Sequence, residues 1–328
     1  MNISVAIATY NRAAMLGEAV EAALGQSRAP QEVVVADDAS TDGTPDALQW
    51  LAAADARVRT LRQDSNSGGV PNWNAAIAAT RGELIAWCSD DDRFLPGHLE
   101  ASHAYLEAHP EVGLVHSGFV DALEVSDGPA DIEARPLRSA RPLLVDRHNL
   151  FPYLIRYYDW PFHPSTIVMR REVWERVGPF DPAFALADTD WFVRAAAQFS
   201  VALLPRHGVL NRRHRGNWSN RVGSARMQGE IFEIVDRAMQ RRWPKPSLLR
   251  MMWRTIWRAN VRLRLVLTIR ARIRSGHEDA ACAAWQALTR LTGGRSIRVL
   301  DRWGQAAIRW YAVRCGFDAA SGHHVSPL

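Results

Sequence analysis

Apolar residues in the first third of the chain fall into short runs, ISVAIAT (3–9), EVVVA (32–36), VRTLR (58–62) and ELIAWC (83–88). Between them, apolar positions recur at helical spacing over Arg12–Leu24, Pro45–Ala54 and Val70–Ala79. Strands alternating with helices predict βα units and a parallel α/β sheet. Open sheets of this kind hold ligands beyond the carboxyl ends of their strands. Polar clusters lie at three of those ends: Tyr10-Asn11-Arg12, Asp37-Asp38-Ala39-Ser40, and Asp90-Asp91-Asp92.

After Glu111 the pattern predicts a strand in GLVHSGFV, a Pro- and Arg-containing loop over Gly128–Pro142, a segment with STIVMR and a helix over Arg171–Val177. Ala187-Asp188-Thr189-Asp190 then opens an amphipathic helix, WFVRAAAQF. From about Arg221 strand signals stop, and Trp, Arg and Leu recur at helical spacing with Pro244 and Pro246 as a break. The division expected is a sheet domain over 1–220 and a basic helical region over 221–328.

Composition narrows the classes. A hydrophobic fraction of 47% and a charged fraction of 23% are those of a folded globular protein. Cys88, Cys282 and Cys315 are few and widely spaced, which excludes a disulfide scaffold or thiolate metal site and fits a reducing cytosol. ISVAIAT is too short for a signal-peptide core, and no run reaches the roughly 18 apolar residues of a membrane span. A cytoplasmic protein is expected.

The net charge of +5 conceals a division: residues 1–220 carry 20 basic and 28 acidic side chains, residues 221–328 carry 20 and 7. In RMMWRTIWRANVRLRLVL, Arg250, Arg254, Arg258 and Arg262 recur every four residues, with Met252, Trp253, Ile256, Leu263 and Leu267 on another side. This is the composition of an interfacial helix drawn to anionic lipid, and equally of a helix docked on the acidic sheet domain; docking is favoured for the apolar side, with exposed arginines offering peripheral contact with an anionic membrane at the inner face of the cell membrane. No nucleic-acid-reading motif accompanies the charge.

The aspartate triplet after ELIAWC presents carboxylate oxygens, the ligands of hard cations such as Mg²⁺ or Mn²⁺. Mg²⁺ commonly takes one or two protein carboxylates and completes its shell with water and substrate phosphates, which makes a nucleoside diphosphate a natural partner. The same triplet could instead be a solvated turn capping the next helix, LPGHLEASHAYL. In EVVVADDASTDGT, Asp42 or Thr44 would cap the helix near Pro45, leaving Asp37 and Asp38 at the strand end to meet a base or a ribose. Asp188 or Asp190 would alternatively cap the WFVRAA helix.

Five stretches in this order, VAIATYNRAAML, EVVVADDASTDGT, NSGGVPNWNAAIAATRGELIAWCSDDDRFLPGHLE, FDPAFALADTDWFVRAA and NRRHRGNWS, resemble the family 2 glycosyltransferases of the GT-A fold. The resemblance covers about Met1 to Asn220. It implies an inverting enzyme with a mixed, mostly parallel sheet flanked by helices, a helical C-terminal extension, and a nucleotide-sugar donor, a uridine-linked one before others. Thr9, Asn11, Asp38, Asn66, Asn74 and Asp90 would bind the donor. Asp91, Asp92 and His214 would hold Mn²⁺ or Mg²⁺, and Asp188 would be the base that deprotonates an acceptor hydroxyl. Trp160 and His163, with Phe162, would line the side taken by a glycan, lipid-linked or small-molecule acceptor. Arg213 or Arg215 would meet the phosphates.

Three positions depart from the pattern: Ser89 stands for the first aspartate of Asp-x-Asp-Asp, Ala187 for a glutamate and Trp73 for an arginine. They leave open a catalytically degenerate nucleotide-sugar-binding scaffold at a membrane surface. A sugar-phosphate nucleotidyltransferase is disfavoured, because ATYNRAAML lacks a glycine-rich phosphate loop.

Overall fold

The computed structural model describes residues 1–123, 131–134, 139–156, 163–214, 224–245 and 250–257, with positions 137, 217, 248, 265 and 269. The chain divides into two units, Met1–Arg215 and Gly216–Leu328. The first is built on a ten-stranded mixed sheet.

One half of that sheet is parallel: β1 (Ile3–Thr9), β2 (Glu32–Asp37), β3 (Val58–Arg62) and β4 (Leu84–Ser89) lie in the order β3-β2-β1-β4. They are joined by α1 (Ala13–Leu24), α2 (Thr44–Ala54) and α3 (Gly69–Ala78). Every residue of β1 and β2 is buried. Strands covered on both faces need continuous apolar runs rather than alternation, which is what the sequence shows.

After β4 come β5 (Arg93–Phe94), α4 (His98–Ala108), β6 (Val112–Leu123), β7 (Asp131–Ala134), β8 (Leu143–Val145), α5 (Leu150–Arg156), a 3-10 turn (Pro164–Thr166), β9 (Ile167–Arg170), α6 (Arg171–Val177), α7 (Ala187–Ala196) and β10 (Ser200–Arg213). The sheet continues β4-β9-β6-β10-β5. β9 runs antiparallel to both neighbours, whereas β6 and β10 pair in parallel along most of their length. The predicted Gly128–Pro142 loop is corrected in part: Asp131–Ala134 extends the sheet, antiparallel to the end of β6. A four-residue strand is too short for periodicity to mark it.

The second unit contains α8 (Ser224–Arg242), whose buried residues Ile234, Val235, Ala238 and Met239 fall on one side. Residues 250–257 are also helical. Their orientation reverses the sequence expectation. Arg254 is turned in and donates to Asp236 (Nη2–Oδ2 3.0 Å), Trp257 is buried, and Met252 and Ile256 face solvent. Leu263 and Leu267 lie outside the described residues. Among the described residues no helix is long and apolar enough to cross a membrane.

Candidate active site

The carboxyl ends of β1, β2 and β4 meet at one rim, and the side chains there are held by backbone contacts. Asn72, on the first turns of α3, donates to the carbonyls of Thr9 (3.2 Å) and Ala36 (2.9 Å), so one amide fixes the spacing of β1 and β2 where they end. Two non-glycine residues adopt left-handed backbone at this rim, Asn11 (φ 54°) and Ala39 (φ 58°). Alanine pays about 1–2 kcal/mol for that conformation, and such strain gathers at functional sites. The two turns are stitched together: Asn11 N–H donates to Ser40 Oγ (2.8 Å) and Asn11 Oδ1 accepts from Thr41 N–H (2.8 Å).

The paired aspartates after β2 separate in role. Asp37 is fully buried, ion-paired with Arg62, and accepts from Ser40 N–H (3.0 Å). Asp38 accepts from Ser67 N–H and Oγ (2.8 Å each) and from Gly68 N–H (2.8 Å). It thereby holds the loop before α3, where Gly68 sits at φ 92°, a conformation open to glycine. Asn66, exposed in the same loop, accepts from Gly68 N–H through Oδ1 (3.2 Å). Asp42 and Thr44 do not cap α2 in the expected way, since Gly43 is its N-cap. Asp42 accepts from Thr44 N–H (2.9 Å), and Thr44 Oγ1 accepts from Arg12 N–H (3.0 Å) at the start of α1.

The three aspartates after β4 point three ways. Asp90 turns toward the β1–α1 turn. Burial, helped by the Asp91 charge, pushes its carboxyl up to about 7, while the Thr9 hydroxyl, Arg12 and the Tyr10 backbone oppose the shift. Asp91 meets His214, brought from the end of β10, with Oδ2 and Nε2 3.0 Å apart. Asp92 turns into the protein, accepting from Ser165 Oγ (2.5 Å) and Arg212 N–H (3.3 Å). Burial and the neighbouring Asp91 raise its carboxyl well above the usual range. Its expected part as a metal ligand is therefore corrected: the carboxylate is sealed behind Ser165. Ser89, the departure from Asp-x-Asp-Asp, belongs to the same clamp, its N–H donating to Ser165 Oγ (3.0 Å).

Asp188 lies in the first turn of α7, whose N-cap is Leu186 with no side-chain cap. Its Oδ1 accepts from Thr189 N–H (2.7 Å), and burial raises its carboxyl above the ordinary carboxylate range. Asp190 is instead buried in an ion pair with Arg194 (2.7 Å), which also donates to the carbonyls of Val177 (2.6 Å) and Pro179 (2.8 Å). Asn74 pairs reciprocally with the backbone of Phe180, donating to its carbonyl (3.0 Å) and accepting its N–H (2.9 Å). Trp73, standing for the family arginine, packs with Trp87 (4.8 Å) and Phe180 (6.1 Å) in an aromatic cluster under the same segment.

His163 lies beside Asp92. Its Nδ1 is 3.3 Å from Asp92 Oδ2 but out of line for a hydrogen bond, and its ring lies 5.4 Å from Phe119. Burial lowers its pKa, against the pull of Asp91, Asp188 and Asp121. One imidazole is thus within electrostatic reach of the triplet and of the α7 turn, 96 residues apart from Asp92 to Asp188. Behind it Asp121 on β6 accepts from Asn211 Nδ2 on β10 (2.6 Å), with Arg213 Nε 3.9 Å away. Sequence reading passed over Asn72, Ser165, Asp121 and Asn211. The first N of NWN and the serine of PFHPST were signals for the first two only once their partners are known. Trp160, Phe162 and Arg215 lie outside the described residues.

The donor set suits a hard cation. Among the described residues no three His, Cys, Asp or Glu side chains form a ready cage. Asp91 and His214 nevertheless offer one oxygen and one nitrogen 3.0 Å apart. Adjacent ligands of an octahedral ion at about 2.1 Å are separated by about 3.0 Å. Two protein ligands are also what an ion shared with substrate phosphates needs.

A parallel nucleotide-type sheet, antiparallel β9 inserted beside β4, and an acidic turn at the β4 end define a GT-A type glycosyltransferase fold. The profile of Glycosyl transferase family 2 matches residues 4–177, and the chain belongs to that family. An uncharacterized glycosyltransferase of Bacillus subtilis, YwdF, is 29% identical over 64% of this chain and 74% of its own length. The uncharacterized protein Rv1520 of Mycobacterium tuberculosis is 31% identical over 66% of this chain and 60% of its own. Among solved structures, S. aureus TarS in complex with UDP-GlcNAc superposes with a TM-score of 0.63 at 17% identity, over 97% of this chain and 93% of that one. The mannosyltransferase PcManGT from Pyrobaculum calidifontis, in complex with GDP-Man and Mn²⁺, gives 0.55 at 17% identity, over 97% and 81%. At these identities the structures establish likeness of fold.

Proposed function

We propose that this chain is an inverting glycosyltransferase that moves a sugar from a uridine-diphosphate donor to an acceptor hydroxyl in one displacement. The observation that carries the reading is the polar cluster at the carboxyl end of β4, where Asp91 lies 3.0 Å from His214 and His163 lies 3.3 Å from Asp92; the charge of Asp188 acts on the same His163 ring. Nucleotide sugars bound to proteins of like fold support the donor class.

Asp188 is the base. As the acceptor oxygen bonds to the anomeric carbon, its proton passes to the Asp188 carboxylate, and the bond from that carbon to the diphosphate oxygen breaks on the opposite face. A carboxylate whose affinity for protons is raised by burial suits this work, and such a base contributes about 10²–10⁴-fold in rate. Asp91 and His214 would hold Mn²⁺ or Mg²⁺, which when bound neutralises charge on the departing diphosphate, worth several kcal/mol. Thr9, Asn11 and Asp90 face the base and ribose side. Asp38 serves the donor by fixing the Ser67–Gly68 loop, with Asn66 at its exposed edge. His163 borders the acceptor side, and the acceptor is a glycan, a lipid-linked sugar or a small molecule.

The test is Asp188→Asn. It should bind UDP by calorimetry as the parent does while losing at least about 10²-fold in transfer. Turnover at the parental rate would remove Asp188 from the chemistry.

A further inference from the structure

The second unit carries a surface that sugar transfer does not use. Leu248, Met251, Met252 and Ile256 are 84%, 61%, 46% and 40% exposed. Residues 248 and 250–257 are helical, so these four, spaced at i, i+3, i+4 and i+8, make one outward apolar stripe. Arg254 and Arg250 point elsewhere, Arg254 reaching Asp236 and Arg250 donating to the Trp243 carbonyl (3.3 Å), while Thr255 shares the exposed side with its hydroxyl bonded back to the Met251 carbonyl (2.8 Å). A water-facing helix ordinarily shows the opposite arrangement.

The sequence that carries the stripe is basic. From Arg237 to His277 the chain holds 12 Arg or Lys and no Asp or Glu. Arg241, Arg242 and Lys245, just before the stripe, are exposed. An apolar ridge bordered by cations is complementary to one surface in particular, a bilayer with anionic headgroups, which takes apolar side chains at the acyl boundary and basic ones at the phosphates.

We propose that Leu248, Met251, Met252 and Ile256 insert into the interface of an anionic membrane, with Arg241, Arg242 and Lys245 pairing with lipid phosphates. The inference stands apart from the sugar-transfer reading, since it uses none of the residues of the sheet unit.

Co-sedimentation of the full chain with vesicles tests it. The protein should pellet with phosphatidylcholine containing about 30% phosphatidylglycerol and remain in solution with phosphatidylcholine alone. Replacing all four stripe residues by serine should cut partitioning by about tenfold or more, with circular dichroism and thermal midpoint preserved because the positions are exposed. Arg241→Gln with Arg242→Gln should weaken binding and flatten its salt dependence without touching the apolar ridge. No binding of the parent chain to anionic vesicles overturns the proposal, whatever the variants do. So does equal binding by the serine variant. A parent dimer that the serine substitutions dissociate, without vesicle binding, would show the stripe to be a contact between copies of this chain.

Discussion

Asn74 offers a measurement in which two roles predict different results. Its side chain forms a reciprocal pair with the Phe180 backbone, at 3.0 and 2.9 Å. In Asn74→Ala both bonds vanish, and the Phe180 N–H and carbonyl are left partly buried beside the Trp73–Trp87–Phe180 cluster. Each bond contributes about 1 kcal/mol net, and stranding the two backbone groups adds to that, so the expected loss is about 2–3 kcal/mol. For a unit of about 200 residues, 1 kcal/mol moves the midpoint by about 2–4 °C, which gives a fall of about 5–10 °C in differential scanning fluorimetry. Phe180 lies eight positions before Asp188, so loosening it should reduce kcat, while UDP affinity by calorimetry stays within about twofold. The reasoning fails if the midpoint is unchanged and UDP affinity drops tenfold, for the amide would then be spent on the donor.

Other expectations follow from single contacts. Arg194→Ala strips Asp190 of its only ion-pair partner among the described contacts and should cost about 3–5 kcal/mol in chemical denaturation, with the remaining folded enzyme still able to bind UDP. Gly208→Ala should destabilise by about 1–3 kcal/mol or more, because a Cβ there collides with the His98 ring and Ser117 Oγ, buried groups with no room to shift; a soluble protein with parental stability would contradict this. Asp91→Ala and His214→Ala should each weaken Mn²⁺ binding in the presence of UDP by at least about tenfold in calorimetry, and parental affinity in both would refute the pairing as a cation site. With Asp188 as base, kcat should fall as pH drops through a carboxyl pKa above the usual carboxylate range, since burial favours the protonated and inactive form; an acid limb within or below that range would count against it.

The parallel half of the fold was legible because its strands are covered on both faces. Continuous apolar runs at 3–9, 32–36 and 83–88 could not be anything but buried, and the polar clusters after them marked the rim. β5, β7 and β8 were not legible, being two to four residues long. β10 was hidden for a different reason: its 14 residues include Pro205 and Gly208, and its register against β6 shifts at Leu203–His207 and His207–Val209. Within the site, residue types announced where charge gathers but not which way each side chain turns. Asp38, Asn74 and Asp92 are chemically suited to a ligand, yet each also binds within the protein, to Ser67 and Gly68, to Phe180 and to Ser165. The missing information was the position of distant backbone N–H groups, which only the fold supplies. The same holds for Arg254, whose partner Asp236 lies 18 positions earlier.

Three adjacent carboxylates are tolerable in this place because their surroundings divide them. If all faced one cavity, each charge would raise the cost of the next by a Coulomb term that grows as the dielectric falls. Here Asp92 is removed to an interior niche where Ser165 and the Arg212 amide stabilise it, and Asp90 faces the β1–α1 turn with Arg12 in reach. Asp91 alone is left to His214. The departures at Ser89 and Trp73 fit this arrangement: Ser89 helps clamp Ser165, and Trp73 supports Phe180. A fourth acid at position 89 would stand beside Ser165 and the raised Asp92 carboxyl and add to the repulsion already borne there. A hydroxyl at position 89 instead bonds within the Ser165 clamp without adding charge.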